Sequence, residues 1–133
     1  MSKNDQRATQ AGGHSSSLPP ISLLLSLDEE YRRKAAEGTL KLITPKKFNP
    51  EGKAWLPIMS AIREGWRFTV LYSNTQKAHE LGKTTDWVVI YFDDGTEERQ
   101  CTVVTEYTGV LKGKRVVRGR EAECRQYYRA AKQ

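Results

Sequence analysis

The chain has 133 residues, 38% of them hydrophobic and 29% charged, with a formal net charge of +6. That length and composition predict one domain with a modest core, and no apolar run approaches the roughly 20 residues that a membrane-spanning helix needs. Two cysteines without an export signal predict reduced thiols in a cytoplasmic setting and exclude a disulfide-stapled scaffold.

Residues 1–20 are rich in Ser, Gln, Gly and Asn and end at Pro19-Pro20, a composition that predicts a disordered tail. His14 lies in that tail and is no catalytic candidate. Residues 21–43 read as a short helix and a linker. Leu27, Tyr31 and Ala35 give a narrow stripe over 27–37, acids precede bases along it, and Gly38 is a stop. Two prolines and a glycine make 44–53 irregular, with Phe48 as an anchor. A boundary near residue 43 opens the main domain, 44–133.

Strands are predicted over 54–62 and 66–72, joined at Glu64-Gly65. In the second, Trp66, Phe68, Val70 and Tyr72 alternate with Arg67, Thr69 and Leu71. Ser73-Asn74-Thr75 offers caps for a short helix over 75–82, whose Ala78 and Leu81 should face the sheet. Residues 87–92 are apolar at every position, the pattern of a central strand covered on both faces. An Asp93-Asp94-Gly95-Thr96 turn, strands over 100–107 and 115–118, and a helix over 121–132 complete the chain. Cys124, Tyr127, Tyr128 and Ala131 form one face of that helix. The fold class is therefore α+β: a small, mostly antiparallel sheet of about five strands, with a short internal helix and a C-terminal helix packed on it.

Charge is unevenly spread. Residues 108–133 carry eight Lys and Arg against two Glu, which is the whole net charge, while the first 107 residues carry fourteen of each sign. A basic segment on a neutral body is the footprint of a polyanion-binding surface. The candidate contacts are Lys112, Lys114, Arg115, Arg118, Arg120, Arg125 and Arg129. In an extended strand Lys114 and Arg118 share one face and Arg115 points the other way, and arginine suits bidentate phosphate contact. Nothing in the stretch specifies bases, so backbone recognition is expected. One ring of the Tyr127-Tyr128 pair is a candidate for stacking.

Catalysis has a thinner basis. His79 is the only histidine in the body, with Asp86 seven residues on, and a small hydrolase or nuclease built on that pair is a third reading, behind an acidic protein partner. Cys101 and Cys124 lack zinc-ligand spacing. Asp93, Asp94, Glu97 and Glu98 crowd a hairpin tip, where carboxylates face water. No metal or cofactor is expected, and a non-enzymatic role stands ahead of an enzymatic one.

Several blocks carry a resemblance: Pro45-Lys-Lys-Phe-Asn-Pro-Glu-Gly-Lys-Ala-Trp-Leu-Pro57, Ser73-Asn-Thr-Gln-Lys-Ala-His-Glu-Leu-Gly82, Asp86-Trp-Val-Val-Ile-Tyr91, Gln100-Cys-Thr-Val-Val-Thr-Glu106 and Val116-Val-Arg-Gly-Arg-Glu-Ala-Glu-Cys124. Over roughly 28–128 the chain resembles the C-terminal module of bacterial helix-hairpin-helix DNA-binding proteins related to family X DNA polymerases. Neither a DNA-binding hairpin nor a polymerase carboxylate triad is present in this sequence, and Met59-Ser60-Ala61 departs from the pattern. The resemblance implies a DNA-metabolism setting and confers no activity; the leading expectation, from the basic segment, is a non-catalytic accessory module that binds nucleic-acid backbone, DNA foremost.

Overall fold

The computed structural model describes residues 18–131. The predicted tail up to residue 17, with His14, and Lys132 lie outside the described residues. The order of elements is α1 (Ile21–Glu37), β1 (Lys41–Ile43), β2 (Leu56–Arg63), β3 (Trp66–Tyr72), α2 (Gln76–Glu80), β4 (Val88–Asp93), β5 (Arg99–Thr105), a 3₁₀ turn (Gly109–Leu111), β6 (Arg115–Val117) and α3 (Glu121–Ala131). The six strands form one antiparallel sheet whose spatial order is the chain order. The class is α+β, with one strand more than the five expected: β1 is three residues long and too short to announce itself by periodicity.

The meander is built from local turns. Arg63 pairs directly with Trp66, so Glu64-Gly65 is a two-residue loop. Both residues have positive φ, 55° and 84°, the combination whose twist matches that of the flanking strands. At the next connection Thr75 accepts a hydrogen bond from the Ala78 N–H at 3.1 Å, the predicted cap, and Ala78 is buried. Leu81 is exposed instead of facing the sheet, because the helix ends at Glu80 before its second turn.

One face of the sheet carries the core. Met59, Phe68, Val70, Val88, Ile90, Phe92, Val103 and Val117 are buried there, in register across β2 to β6. The other face is open over its middle: Ile58, Thr69, Leu71, Val89, Tyr91 and Thr102 are half-exposed and Ile62 is exposed, while Leu56, Val104 and Val116 towards its edges are buried. The expectation that 87–92 is covered on both faces is thus corrected. The strand is central in the sheet, and α1 packs on one side of it. Its outer apolar residues are shielded only by their neighbours along the sheet.

The cover is α1, and it begins earlier than expected. The helix starts at Ile21 and not at Leu27, and Ile21, Leu23, Leu24, Leu25, Leu27 and Tyr31 are buried in the same cluster as the sheet residues. No boundary at 43 separates it from the rest. Leu24, Leu27, Asp28 and Tyr31 recur at helical spacing, and the stripe they make lies on the sheet. Gly38 ends the helix at φ 73°, with its N–H bonded to the Ala35 carbonyl and the Thr39 N–H to that of Lys34. Arg63 and Lys34 both reach Glu30, at 3.1 and 2.9 Å, and hold its carboxyl at about 2, well below the usual range.

Tyr31 is fully buried and closes a gap in the ladder. The proline at 57 has no N–H to give to β3. The Tyr31 hydroxyl donates to the Pro57 carbonyl at 2.7 Å and accepts from the Tyr72 N–H at 2.9 Å. It therefore stands between the strands where their direct pairing stops at Ile58 and Leu71. Removing the hydroxyl leaves a carbonyl and an N–H without partners. Tyr31→Phe is expected to cost about 1–3 kcal/mol, read as a lower urea midpoint with an unchanged m-value; an unchanged midpoint would show that the hydroxyl bridges nothing of consequence.

At the far edge, α3 covers β6. The Tyr128 hydroxyl donates to the Arg115 carbonyl at 2.6 Å, and the Val117 N–H points at Cys124 Sγ at 3.4 Å. These side chains occupy backbone groups that an unprotected edge would offer to another chain. Both cysteines are free thiols. Burial pushes Cys101 up to about 12 and also raises Cys124, so neither is a ready nucleophile.

Candidate nucleic-acid interface

The basic C-terminal segment divides in two when its side chains are followed. Arg115 turns inward. It is on the same sheet face as Val117 and Thr105, with a side chain 14% exposed. Its guanidinium forks onto Asp28 of α1, Nη2 to Oδ1 at 2.8 Å and Nε to Oδ2 at 3.1 Å. Nη1 donates to Asp86 Oδ1 and to Thr105 Oγ1, both at 3.0 Å. Asp28 is 1% exposed and also meets Arg32 at 3.1 Å. Asp86 in turn accepts from the Thr105 hydroxyl at 2.8 Å. The fifth N–H of the guanidinium reaches the Val103 carbonyl at 3.4 Å, so the residue is a strut of the fold.

Arg118 and Arg120 are engaged as well. Arg118 lies between Glu106 and Glu121, at 3.3 and 3.4 Å, on the surface. Arg120 is bidentate to Glu123, at 2.9 and 2.7 Å, and donates to the Pro19 carbonyl at 2.7 Å. The Glu123 carboxylate raises the Arg120 pKa, and the arginine lowers that of Glu123. Pro19, placed in the tail by composition, is buried against the start of α3.

Lys112, Lys114, Arg125 and Arg129 remain. None makes an ion pair with any other described residue. Three of them surround a cavity of about 240 Å³ lined by Val110, Leu111, Lys114, Arg125, Tyr128 and Arg129. Arg125, Tyr128 and Arg129 come from one face of α3, three and four residues apart. The opposite wall is the 3₁₀ turn, anchored by buried Leu111, with Val110 81% exposed. Lys114 is fixed by its backbone: its N–H bonds the Leu111 carbonyl and its own carbonyl accepts from Glu106. Its Nζ stands 5.2 Å from the centre of the Tyr128 ring. Tyr127 and Tyr128 are both half-buried and meet edge to face at 5.2 Å. The chemistry of this place is an apolar floor beneath a cationic rim.

His79 and Asp86 each hydrogen-bond other residues. His79 Nε2 hydrogen-bonds Asn74 Oδ1 at 2.6 Å and its ring stacks on Phe48 with centroids 4.4 Å apart. Asp86 is occupied by Arg115 and Thr105. The loop 44–53 that brings Phe48 there is stapled by Asn49, whose amide donates to the carbonyls of Pro45 and Lys53, both at 2.8 Å. Among the described residues no group of three or more His, Cys, Asp or Glu converges as a metal site. No helix among them is long and apolar enough to cross a membrane.

Sequence reasoning placed all four free cations but not their separation from the paired ones, and it missed Val110, Leu111 and Asp28. A signal for Asp28 was available: a carboxylate inside an apolar stripe, four residues after Leu24 and three before Tyr31, demands a buried cation. No family model, curated protein or solved structure matches the chain.

The arrangement predicts that Arg115→Gln unfolds more easily without losing any surface contact. Breaking a buried pair costs about 3–5 kcal/mol, and the lower end is expected because Arg32 still faces Asp28. A urea titration checks the loss, and a variant as stable as the parent would contradict the assignment of Arg115 to the interior.

Proposed function

We propose that this protein is a non-catalytic accessory module that binds nucleic acid, DNA foremost, through Lys112, Lys114, Arg125 and Arg129. The observation that carries the reading is the partition of the basic segment. Arg115, Arg118 and Arg120 pair with carboxylates, while four neighbouring cations meet no acid among the described residues. Unpaired cations gathered on one surface attract a polyanion, and they recognise its phosphates and not its sequence. The resemblance to bacterial helix-hairpin-helix proteins makes DNA the first ligand to test. The two free thiols agree with a cytoplasmic location.

Binding driven by counterion release weakens with salt in proportion to the phosphates neutralised. With four cations engaged on duplex DNA, log K against log salt is expected to fall with a slope of about −3 to −4. Changing Lys114, Arg125 and Arg129 together to Gln should bring the slope to about −1 and weaken all duplexes alike, while melting as the parent does. Fluorescence anisotropy over a salt series reads both. Absence of binding at low salt would overturn the proposal and turn attention to an acidic protein partner.

A further inference from the structure

The cavity rimmed by Lys114, Arg125 and Arg129 is more than a charged patch. A site that only follows a phosphate backbone needs cations and donors on a smooth surface. Here the cations stand over an apolar floor made by Val110, Leu111 and the Tyr128 ring. Val110 is 81% exposed, an unusual place for a branched apolar side chain on a turn between two glycines. Nothing else in the fold uses it: Leu111, its neighbour, is the residue that anchors the turn.

An apolar floor with a cationic rim complements a group that has an apolar face and an adjacent phosphate, which is the chemistry of a nucleotide. The size narrows the choice. At about 240 Å³ the cavity is smaller than the ~300–1,000 Å³ of sites that enclose drug-sized ligands, so it has room for one base and not for a stacked pair. A base can present its face only when it is unpaired and unstacked, because in a duplex both faces are covered by neighbours and only the groove edges are open.

Resting on the nucleic-acid reading above, we infer that this cavity receives one unpaired base of a single strand. The base lies against Val110, Leu111 and Tyr128, and the flanking phosphate is held by Arg125, Arg129 and Lys114. The module therefore prefers single-stranded nucleic acid, or the frayed end of a duplex, over a closed duplex.

The test compares, at one low salt concentration, the affinity of the full chain for a single strand of about twelve nucleotides and for the blunt duplex of the same sequence. AMP serves as a competitor, and each measurement is repeated with Val110→Asn. That variant keeps the charge, and its exposure spares the core. The single strand is expected to bind about tenfold tighter than the duplex, the stacking of one base being enough. Val110→Asn should remove most of that advantage, lowering single-strand affinity far more than duplex affinity. Equal affinities for the two forms would overturn the inference while leaving charge-driven binding intact. So would a single-strand advantage untouched by Val110→Asn, which would place the base elsewhere. If AMP displaces the strand at concentrations near the strand's own Kd, the ligand is a free nucleotide and the strand assignment fails. Absence of binding to either form would overturn this inference together with the reading it rests on.

Discussion

The fork between Arg115 and Asp28 is the contact on which the rest depends. It joins residues 87 positions apart, the first helix and the last strand. The sheet is otherwise a meander in which every strand pairs with its neighbour in sequence, so its contacts close short loops at small entropic cost. The helix α1 must instead come back over the finished sheet and find β6 and α3. Burial of Leu24, Leu27 and Tyr31 supplies the drive, but apolar packing tolerates rotation and sliding. Two oriented features remove that freedom. The Asp28 carboxylate must meet the guanidinium, and the Tyr31 hydroxyl must reach Pro57 and Tyr72 one turn further along the helix. A buried charge without its partner would cost several kcal/mol, so only one docking of α1 satisfies the helix and the sheet together.

That constraint also decides where positive charge is left over. Arg115 is spent on Asp28 and Asp86. Once it is drawn inward, its carbonyl is positioned to receive the Tyr128 hydroxyl, and α3 is laid along β6 with Arg125 and Arg129 facing the 3₁₀ turn. The candidate interface is thus a by-product of how the edge of the sheet is closed. The same tyrosine that protects the edge floors the cavity, and burial raises its pKa.

What was legible in the sequence follows the range of each signal. The strands β2 to β5, the Glu64-Gly65 turn, the Thr75 cap and the final helix are local patterns of alternation, turn chemistry and capping, and each lies where the residues put it. The failures are tertiary. Ile21 to Ser26 contains four apolar residues at crowded spacing, which hid a helix start and made a core element look like a linker. Val88 to Phe92 is apolar throughout, and no local pattern tells a strand covered on both sides from one whose second face, Val89 and Tyr91, stays half-exposed beside Leu71. Summing charge along the chain treated Arg115, Arg118 and Arg120 as equivalent to Arg125 and Arg129. Arg115 and Arg118 meet Asp28, Asp86 and Glu106 from outside the segment, and Arg118 and Arg120 pair with Glu121 and Glu123 within it, so a sum of charge along the chain does not tell which cations are paired.

The division of the arginines is the central claim, and their side-chain Nε–H signals in a nitrogen–proton correlation spectrum test it most directly. On titration with a single-stranded oligonucleotide, the Nε–H groups of Arg125 and Arg129 should shift or gain protection from exchange. Those of Arg115 and Arg120 should already be protected in the free protein, by Asp28 and Glu123, and should stay where they are. A spectrum in which Arg115 moves while Arg125 and Arg129 do not would contradict the account.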